Sequence, residues 1–315
     1  MIKRTLYFGN PAYLKTTNEQ MVIELPEEKG VRLIAETKHT PIEDIGLVIL
    51  DHQQITITQA LMAKLLENNV AVITCNHTHH PTGLMLNLDG NSLQSQKFKT
   101  QVEASVPLKK QLWQQTVSAK IANQAILLQQ EIRKHNTSLP VGEGRAKLLE
   151  RYAREVKSGD SGNHEAKAAA YYWKNIFPEF LSFTRHREGD PPNNLLNYGY
   201  AILRALVARN IVGSGLLPTL GIFHRNQYNA YCLADDIMEP YRPFVDKVVC
   251  GIVSMNGKFL DMTPSMKKEL LGIPAMDVII DGERSPLMNA VQRTTASLAR
   301  CFEGKTKKLL YPQLQ

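Results

Sequence analysis

Residues 221–243 read GIFHRNQYNAYCLADDIMEPYRP. The stretch carries one histidine, His224, followed by an acidic run of Asp235, Asp236 and Glu239. A helix turns about 100° per residue, so Asp235 and Glu239 share a face at i, i+4, and Asp236 and Glu239 share one at i, i+3. Like charges at these spacings repel by roughly 0.2–0.5 kcal/mol per exposed pair. A face that tolerates such repulsion is either solvated, the commoner case, or neutralised by a cation. Upstream, NHEAKAAAYYW (163–173) places Glu165 at the start of an alanine-rich helical run. The helix macrodipole alone favours a glutamate there. Ala168, Ala169 and Ala170, however, leave room for another backbone or a substrate to approach closely. Two carboxylates and one imidazole can hold a divalent cation with open positions, and such a cation can drive phosphodiester chemistry. An oxygen set suits Mg²⁺, and the imidazole makes Mn²⁺ especially acceptable. Structural zinc wants four tight ligands, usually including thiolates; Cys232 lies nearby in sequence with no partner cysteine.

Working outward, the chain changes character along its length. In the first 80 residues Ile2, Arg4, Leu6 and Phe8 alternate with Lys3, Thr5 and Tyr7, followed by MVIEL, a PEEKG turn and VRLIAE. These are short β-type runs with turn punctuation. IGLVIL and VAVITC read as buried strands, with the helical TQALMAKLLENN between them. Residues 81–107 are polar, rich in Gln and Ser, and read as a linker or a segment packed across both halves. From Leu108, Trp113, Val117, Ile121, Ala125, Leu128 and Ile132 recur at three- and four-residue steps. That is one face of an amphipathic helix about seven turns long. LPVGEG breaks it, and RAKLLERYAREVK, HEAKAAAYYWKNIF and LLNYGYAILRALVARNIV continue in helical composition, the last announced by PPNN. The tail GKTKKLLYPQLQ is basic and reads as frayed. The expected fold class is therefore α+β: a small β-rich N-terminal domain (1–80), a linker (81–107) and a larger α-helical domain (108–315).

Composition narrows the classes. With 43% hydrophobic residues, the 315-residue chain can bury a sizeable core. The net charge of +7 favours a polyanionic partner without demanding one. The four cysteines are widely spaced, which fits reduced thiols in a cytoplasmic protein. The N-terminus lacks an apolar signal core, and no run approaches the ~18 apolar residues of a membrane span. No phosphate loop, dinucleotide fingerprint or nucleophile elbow is present, so no NTP hydrolysis or dinucleotide cofactor is expected. His77, His79 and His80 form a tight NHTHH loop, read first as solvent-facing and second as a substrate-contacting loop. Lys109, Lys110, Lys120, Arg133 and Lys134 lie on or beside the long helix and read first as a solvated face, second as DNA contacts. Arg225 could meet a phosphate or pair with Asp235 or Asp236.

NHEAKAAAYYW and the block RHREGDPPNNLLNYGYAILRALVARNIVGSGLLPTLGIFHRNQYNAYCLADDIMEPYRPFVDKVV (185–249) resemble the CRISPR-associated spacer integrase, the first CRISPR-associated protein, most nearly its type II branch. TCNHTHHPTGL and the opening strands fit the family's N-terminal domain more loosely, so the resemblance spans nearly the whole chain. It implies a β-rich N-terminal domain and an α-helical catalytic domain assembled as a homodimer. Two such dimers would bridge a dimer of the small second CRISPR-associated protein, forming a heterohexamer on double-stranded protospacer and repeat DNA. Carried over residue by residue, the catalytic metal ligands fall on Glu165, His224 and Glu239, with Mg²⁺ or Mn²⁺ as the ion. Glu239 stands in the EPYRP motif, and Asp236 is the second choice for the third ligand. The family's glycine after the first glutamate is Ala166 here. The implied function is a metal-dependent DNA endonuclease and integrase that inserts short spacers into a CRISPR array by transesterification. The competing readings are a stand-alone structure-specific metallonuclease on branched DNA or RNA, and a non-catalytic nucleic-acid scaffold.

Overall fold

The computed structural model describes residues 3–26, 34–135, 140–180, 183–186, 189–257 and 259–315. The N-terminal part runs β1 (Arg4–Phe8), β2 (Ala12–Thr17), β3 (Gln20–Pro26), β4 (Ile34–Pro41), β5 (Ile45–Leu50), β6 (Ile55–Ile57), α1 (Gln59–Glu67), β7 (Ala71–Cys75) and β8 (Pro81–Met85). Then come α2 (Gln94–Val102), α3 (Val106–His135), α4 (Pro140–Glu155), α5 (His164–Asn175), α6 (Asn193–Gly213), α7 (Cys232–Met238), α8 (Arg242–Asn256) and α9 (Pro264–Leu271). The chain closes with β9 (Asp277–Ile280), β10 (Glu283–Pro286), α10 (Leu287–Phe302) and β11 (Pro312–Gln313). Strands lead and helices dominate afterwards, so the α+β expectation holds. Ile2, the PEEKG turn after Pro26 and the first residue of LPVGEG lie outside the described residues. The rest of LPVGEG does not break the helical pattern as expected: α4 begins at Pro140, a residue suited to the first turn of a helix because it needs no amide donor there.

Two sheets form the N-terminal part, ordered β1-β5-β7-β8 and β4-β3-β2-β6. β1, β5 and β7 are parallel, and β8 closes the sheet antiparallel. Side chains alternate across a strand, and here the alternation assigns two cores. Val48, Val70 and Val72 face the second sheet and α1, packing with Leu14, Met21, Leu61 and Leu65, and Ile45 joins them because the strand register shifts between it and Leu47. Leu47, Ile49, Ala71 and Ile73 face the other way, into the core built by the helices. A sheet covered on both faces needs apolar residues at every position, which is why IGLVIL and VAVITC are unbroken apolar runs.

α3 is the axis of the helical part. Trp113, Val117, Ile121, Ala125 and Leu128 are buried along one stripe, the valine, isoleucine and leucine each contributing on the order of 1.5–3 kcal/mol when fully buried. Residues 81–107 contain β8 and α2 and touch both halves. β8 pairs with β7, while Gln101 donates from Nε2 to the carbonyls of Leu217 (2.9 Å) and Leu220 (3.1 Å).

The tail corrects the sequence reading. Instead of fraying, Leu309 and Leu314 are buried and β11 pairs with β9. The physical reason is α3: Gln115 accepts the Leu309 amide at 2.9 Å, and Asn123 accepts the Leu314 amide at 3.0 Å. The basic residues before Leu309 are exposed, but the apolar ones that follow have a place to go.

Candidate active site

Three distant segments meet around one lysine. Lys120, on α3, is nine-tenths buried, and its Nζ lies 2.7 Å from Glu165 Oε1 and 2.6 Å from Glu239 Oε2. The sequence places Lys120 among residues of a solvated face; the structure corrects this. Trp113, Val117, Lys120 and Gln124 fall on one stripe of α3 and all are buried. Lys120 is tolerated there because two carboxylates meet its charge, without which a buried ammonium would be strongly unfavourable.

Glu165 occupies the first turn of α5, as its sequence context indicates. The helix is capped from upstream. Asp160 accepts the amides of His164 (2.8 Å) and Glu165 (2.9 Å), satisfying donors that a helix start leaves open. Gly159, at φ 69°, makes the turn that brings Asp160 back to the helix end. Glu239 follows α7 directly, and Asn123 of α3 donates to the Pro240 carbonyl at 2.8 Å, pinning that corner against the long helix. Arg242 reaches Glu239 Oε1 at 3.0 Å. Burial alone would raise the Glu239 carboxyl, but the charges of Arg242 and Lys120 outweigh it and hold its pKa below the usual range. Burial also opposes the Lys120 charge, and Glu239 and Glu165 outweigh it, so its pKa rises.

His224 stands beside this cluster on the loop between α6 and α7. Its Nδ1 lies 2.5 Å from Asp236 Oδ1. Asp236 is fully buried and also accepts the amides of Phe223 (2.9 Å) and His224 (3.3 Å). The Asp236 contact raises the imidazole pKa against the effect of burial, and the charges of Glu239 and Glu165 add to the rise. The ring is further fenced by Trp113, edge-on at 5.6 Å, which stacks on Phe223 at 4.3 Å.

Asp235 and Asp236 are therefore committed elsewhere. Asp235 takes Arg204 Nε at 2.6 Å and the Asn229 amide at 2.7 Å, while Asp236 orients His224. Arg225 is exposed and pairs with neither. The like-charge repulsion expected along 235–239 is resolved because each acid has its own cation. His79 does not join this cluster. Its Nδ1 contacts Asp51 at 3.0 Å, beside His77 in a separate cleft, and Asp51 also receives Lys267 at 3.0 Å and the Tyr7 hydroxyl.

Among the described residues no three His, Cys, Asp or Glu side chains already form a closed cation cage. The donors nevertheless fit a divalent ion. Glu239 Oε2 is buried with no well-formed hydrogen bond, and among the described residues the Lys120 ammonium is the one cation in contact with it. That ammonium stands between two carboxylates from separate helices. Asp236 engages Nδ1 of His224, and the same ring's Nε2 is the nitrogen through which a carboxylate-oriented histidine ligates metal.

Next to Glu239 opens a cleft of about 780 Å³ lined by Arg185, Arg204, Arg242, Asn226 and Tyr228. Arg242 and Arg185 lie over the Tyr200 ring at 4.9 and 5.3 Å. The sequence reading puts Lys120 on a solvated face and does not single out these arginines. The stripe spacing 113, 117, 120, 124 is the signal that marks Lys120 as inward-facing; for the arginines, only the folded chain brings them together.

An α+β chain with paired glutamates and a carboxylate-oriented histidine beside an arginine-lined cleft has the make-up of a phosphodiester-processing enzyme. Residues 6–261 match the family described as CRISPR associated protein Cas1. The chain is 34% identical over 315 residues to a CRISPR-associated endonuclease Cas1 of Neisseria meningitidis serogroup C, covering 100% of this chain and 97% of that one. It is 30% identical over 204 residues to another from Francisella tularensis subsp. novicida, covering 60% and 64%. Its fold is similar to a casposase bound to integration product (TM-score 0.77, 19% identity, 98% and 92% covered). It is also similar to a Cas1 protein of Thermotoga maritima (TM-score 0.69, 16% identity, 96% and 98% covered) and to a chain of a Cas6-RT-Cas1–Cas2 complex (TM-score 0.75, 18% identity, 100% and 37% covered). The chain belongs to the Cas1 family of CRISPR-associated proteins.

Proposed function

We propose that this chain is a DNA endonuclease and integrase of CRISPR adaptation whose Glu165, His224 and Glu239 hold Mg²⁺ or Mn²⁺. The family match over residues 6–261 supports the activity. The single structural observation that supports the ligand set is the convergence of Glu165 and Glu239 on one ammonium. A bound divalent ion supplies positive charge to the scissile phosphate and the leaving 3′-oxygen.

In the proposed reaction the 3′-hydroxyl of an incoming DNA end attacks a phosphodiester at the repeat boundary. One phosphodiester forms as another breaks, the proton of the attacking hydroxyl ends on the released 3′-oxygen, and no ATP is required. That agrees with the missing phosphate loop. Asp236 keeps the His224 ring oriented, and Trp113 and Phe223 limit its swing. Arg185, Arg204 and Arg242 offer the DNA backbone charge-assisted contacts. The assembly we infer is a homodimer acting with the small second CRISPR-associated protein on double-stranded DNA in the cytoplasm. In keeping with this, no helix among the described residues is long and apolar enough to cross a membrane.

The test is strand joining. With Mn²⁺ and its small partner, the protein joins a short duplex bearing free 3′-hydroxyls to a repeat-containing plasmid. His224→Ala and Glu165→Ala lower the rate by on the order of 10²-fold or more while DNA binding, carried by basic residues, persists. Normal joining by the His224 variant sinks the ligand assignment. Cleavage without joining on every repeat substrate moves the protein to the stand-alone metallonuclease class.

A further inference from the structure

Arg209, near the C-terminal end of α6, is more than nine-tenths buried, with 8% of its surface exposed. Its Nε donates to the backbone carbonyl of Asn69. No carboxylate among the described residues pairs with it. Burial alone lowers its pKa, to about 10, with no acid contributing in either direction. Three other cations drawn into the protein differ from it. Lys120 has Glu165 and Glu239, Arg242 has Glu239, and Lys267 has Asp51. A guanidinium withdrawn from water without a counter-charge is costly, and no acid among the described residues supplies one to Arg209.

The surroundings are built to the same sign. Arg209 lines a cleft of about 630 Å³ between α6, α10, the end of α1 and the segment leading into α2. Lys3, Lys97 and Arg300 line it too. Its one acidic lining residue, Glu303, is taken by Lys305 at 2.6 Å. Lys97 is held over the cleft by a 3.0 Å bond from Nζ to the Ser214 carbonyl. Lys3 has its pKa lowered by burial first and by the Arg209 charge second, against partial opposition from Asp44 and Glu43. Two partly desolvated cations that repel each other across one cleft are what an oxyanion between them would relieve. A guanidinium fork matches phosphate oxygens two at a time.

We propose that this cleft is a phosphate-binding site, with Arg209 as its buried anchor and Lys3, Lys97 and Arg300 around it. It shares no residue with the Glu165–His224–Glu239 cluster and does not depend on it. The phosphate is that of a free ion or of a phosphodiester in a nucleic-acid strand, and the two sources are separable.

Calorimetric titration of the protein in EDTA with inorganic phosphate, and separately with thymidylyl-thymidine, reads the site directly, with chloride at matched ionic strength as the control. Saturable binding of either probe above the chloride control is expected. Arg209→Gln weakens it by about tenfold or more, and the surface variants Lys97→Ala and Arg300→Ala each weaken it by about threefold. His224→Ala leaves it unchanged. Tighter binding of thymidylyl-thymidine assigns the site to a strand backbone, and tighter binding of phosphate to the free ion. No saturable binding by the wild type, or equal binding by the wild type and the two surface variants, overturns the proposal even if Arg209→Gln fails to fold.

Discussion

His224 and Asp236 are joined through Nδ1 and Oδ1 at 2.5 Å, and the carboxylate that makes this contact has no surface exposed to solvent. Asp236 also accepts two backbone amides of the same loop, so ring and loop are set by one buried group. Asp236→Asn keeps the shape but loses the charge. We expect joining to slow, and the Mn²⁺ requirement to rise, by about 10- to 100-fold. A Mn²⁺ titration of the joining rate checks both; unchanged metal dependence means that something else orients the ring.

Lys120 offers a readout independent of catalysis. Lys120→Met removes the ammonium between Glu165 and Glu239 while keeping its stem in the α3 stripe. Breaking a buried pair from one side destabilises by about 3–5 kcal/mol, so the melting temperature in EDTA falls. Mn²⁺ then stabilises the variant more than the wild type, because the ion replaces the missing charge. Equal Mn²⁺ shifts for the two proteins count against Glu165 and Glu239 as shared ligands.

Asp246 predicts a pH dependence. It accepts the Tyr172 hydroxyl at 2.8 Å and the Tyr200 hydroxyl at 2.5 Å, and burial raises its carboxyl to about 6 against the pull of those hydroxyls and of Arg242 and Arg185. A carboxyl with a raised folded pKa binds its proton more tightly in the folded chain. Its contribution to stability is complete below its ordinary pKa near 4 and is lost as pH rises through 6. Asp246→Asn removes that slope, on the order of 3 kcal/mol across the window. Denaturant melts at pH 5 and pH 7 measure it; identical slopes in variant and wild type contradict the reading.

The C-terminal segment is a structural element, and Leu309→Ala tests it. Its side chain is buried, and its amide is held by Gln115. The truncation destabilises by about 2–5 kcal/mol in urea melts. A frayed tail would give a change near zero.

Much of this architecture is legible locally. The three- and four-residue recurrence from Trp113 to Leu128 marks α3, because a helix buries one stripe whatever it packs against. Unbroken apolar runs mark β5 and β7 as covered on both faces. The β9–β10 hairpin carries a local signal as well, which the reading of the sequence above does not use. Its turn is Asp281-Gly282, with φ of 53° and 81°, the pair that a tight hairpin turn selects. Lys120 was misassigned because its charge outweighed its place on the stripe.

By itself the sequence determined the leading strands, the long helix α3, the helix start that carries Glu165 and the acidic run ending in Glu239, all set by short-range periodicity and capping. Only the tertiary structure decided how the acids of that run are shared out. Asp235 goes to Arg204, Asp236 to His224, and Glu239 to Lys120 and Arg242. It also decided that no acid among the described residues pairs with Arg209. The reason is physical: a charge is satisfied by whatever lies within a few ångströms once the chain is folded, and that neighbour can stand far away in sequence, 119 residues between Lys120 and Glu239 and 216 between Asp51 and Lys267.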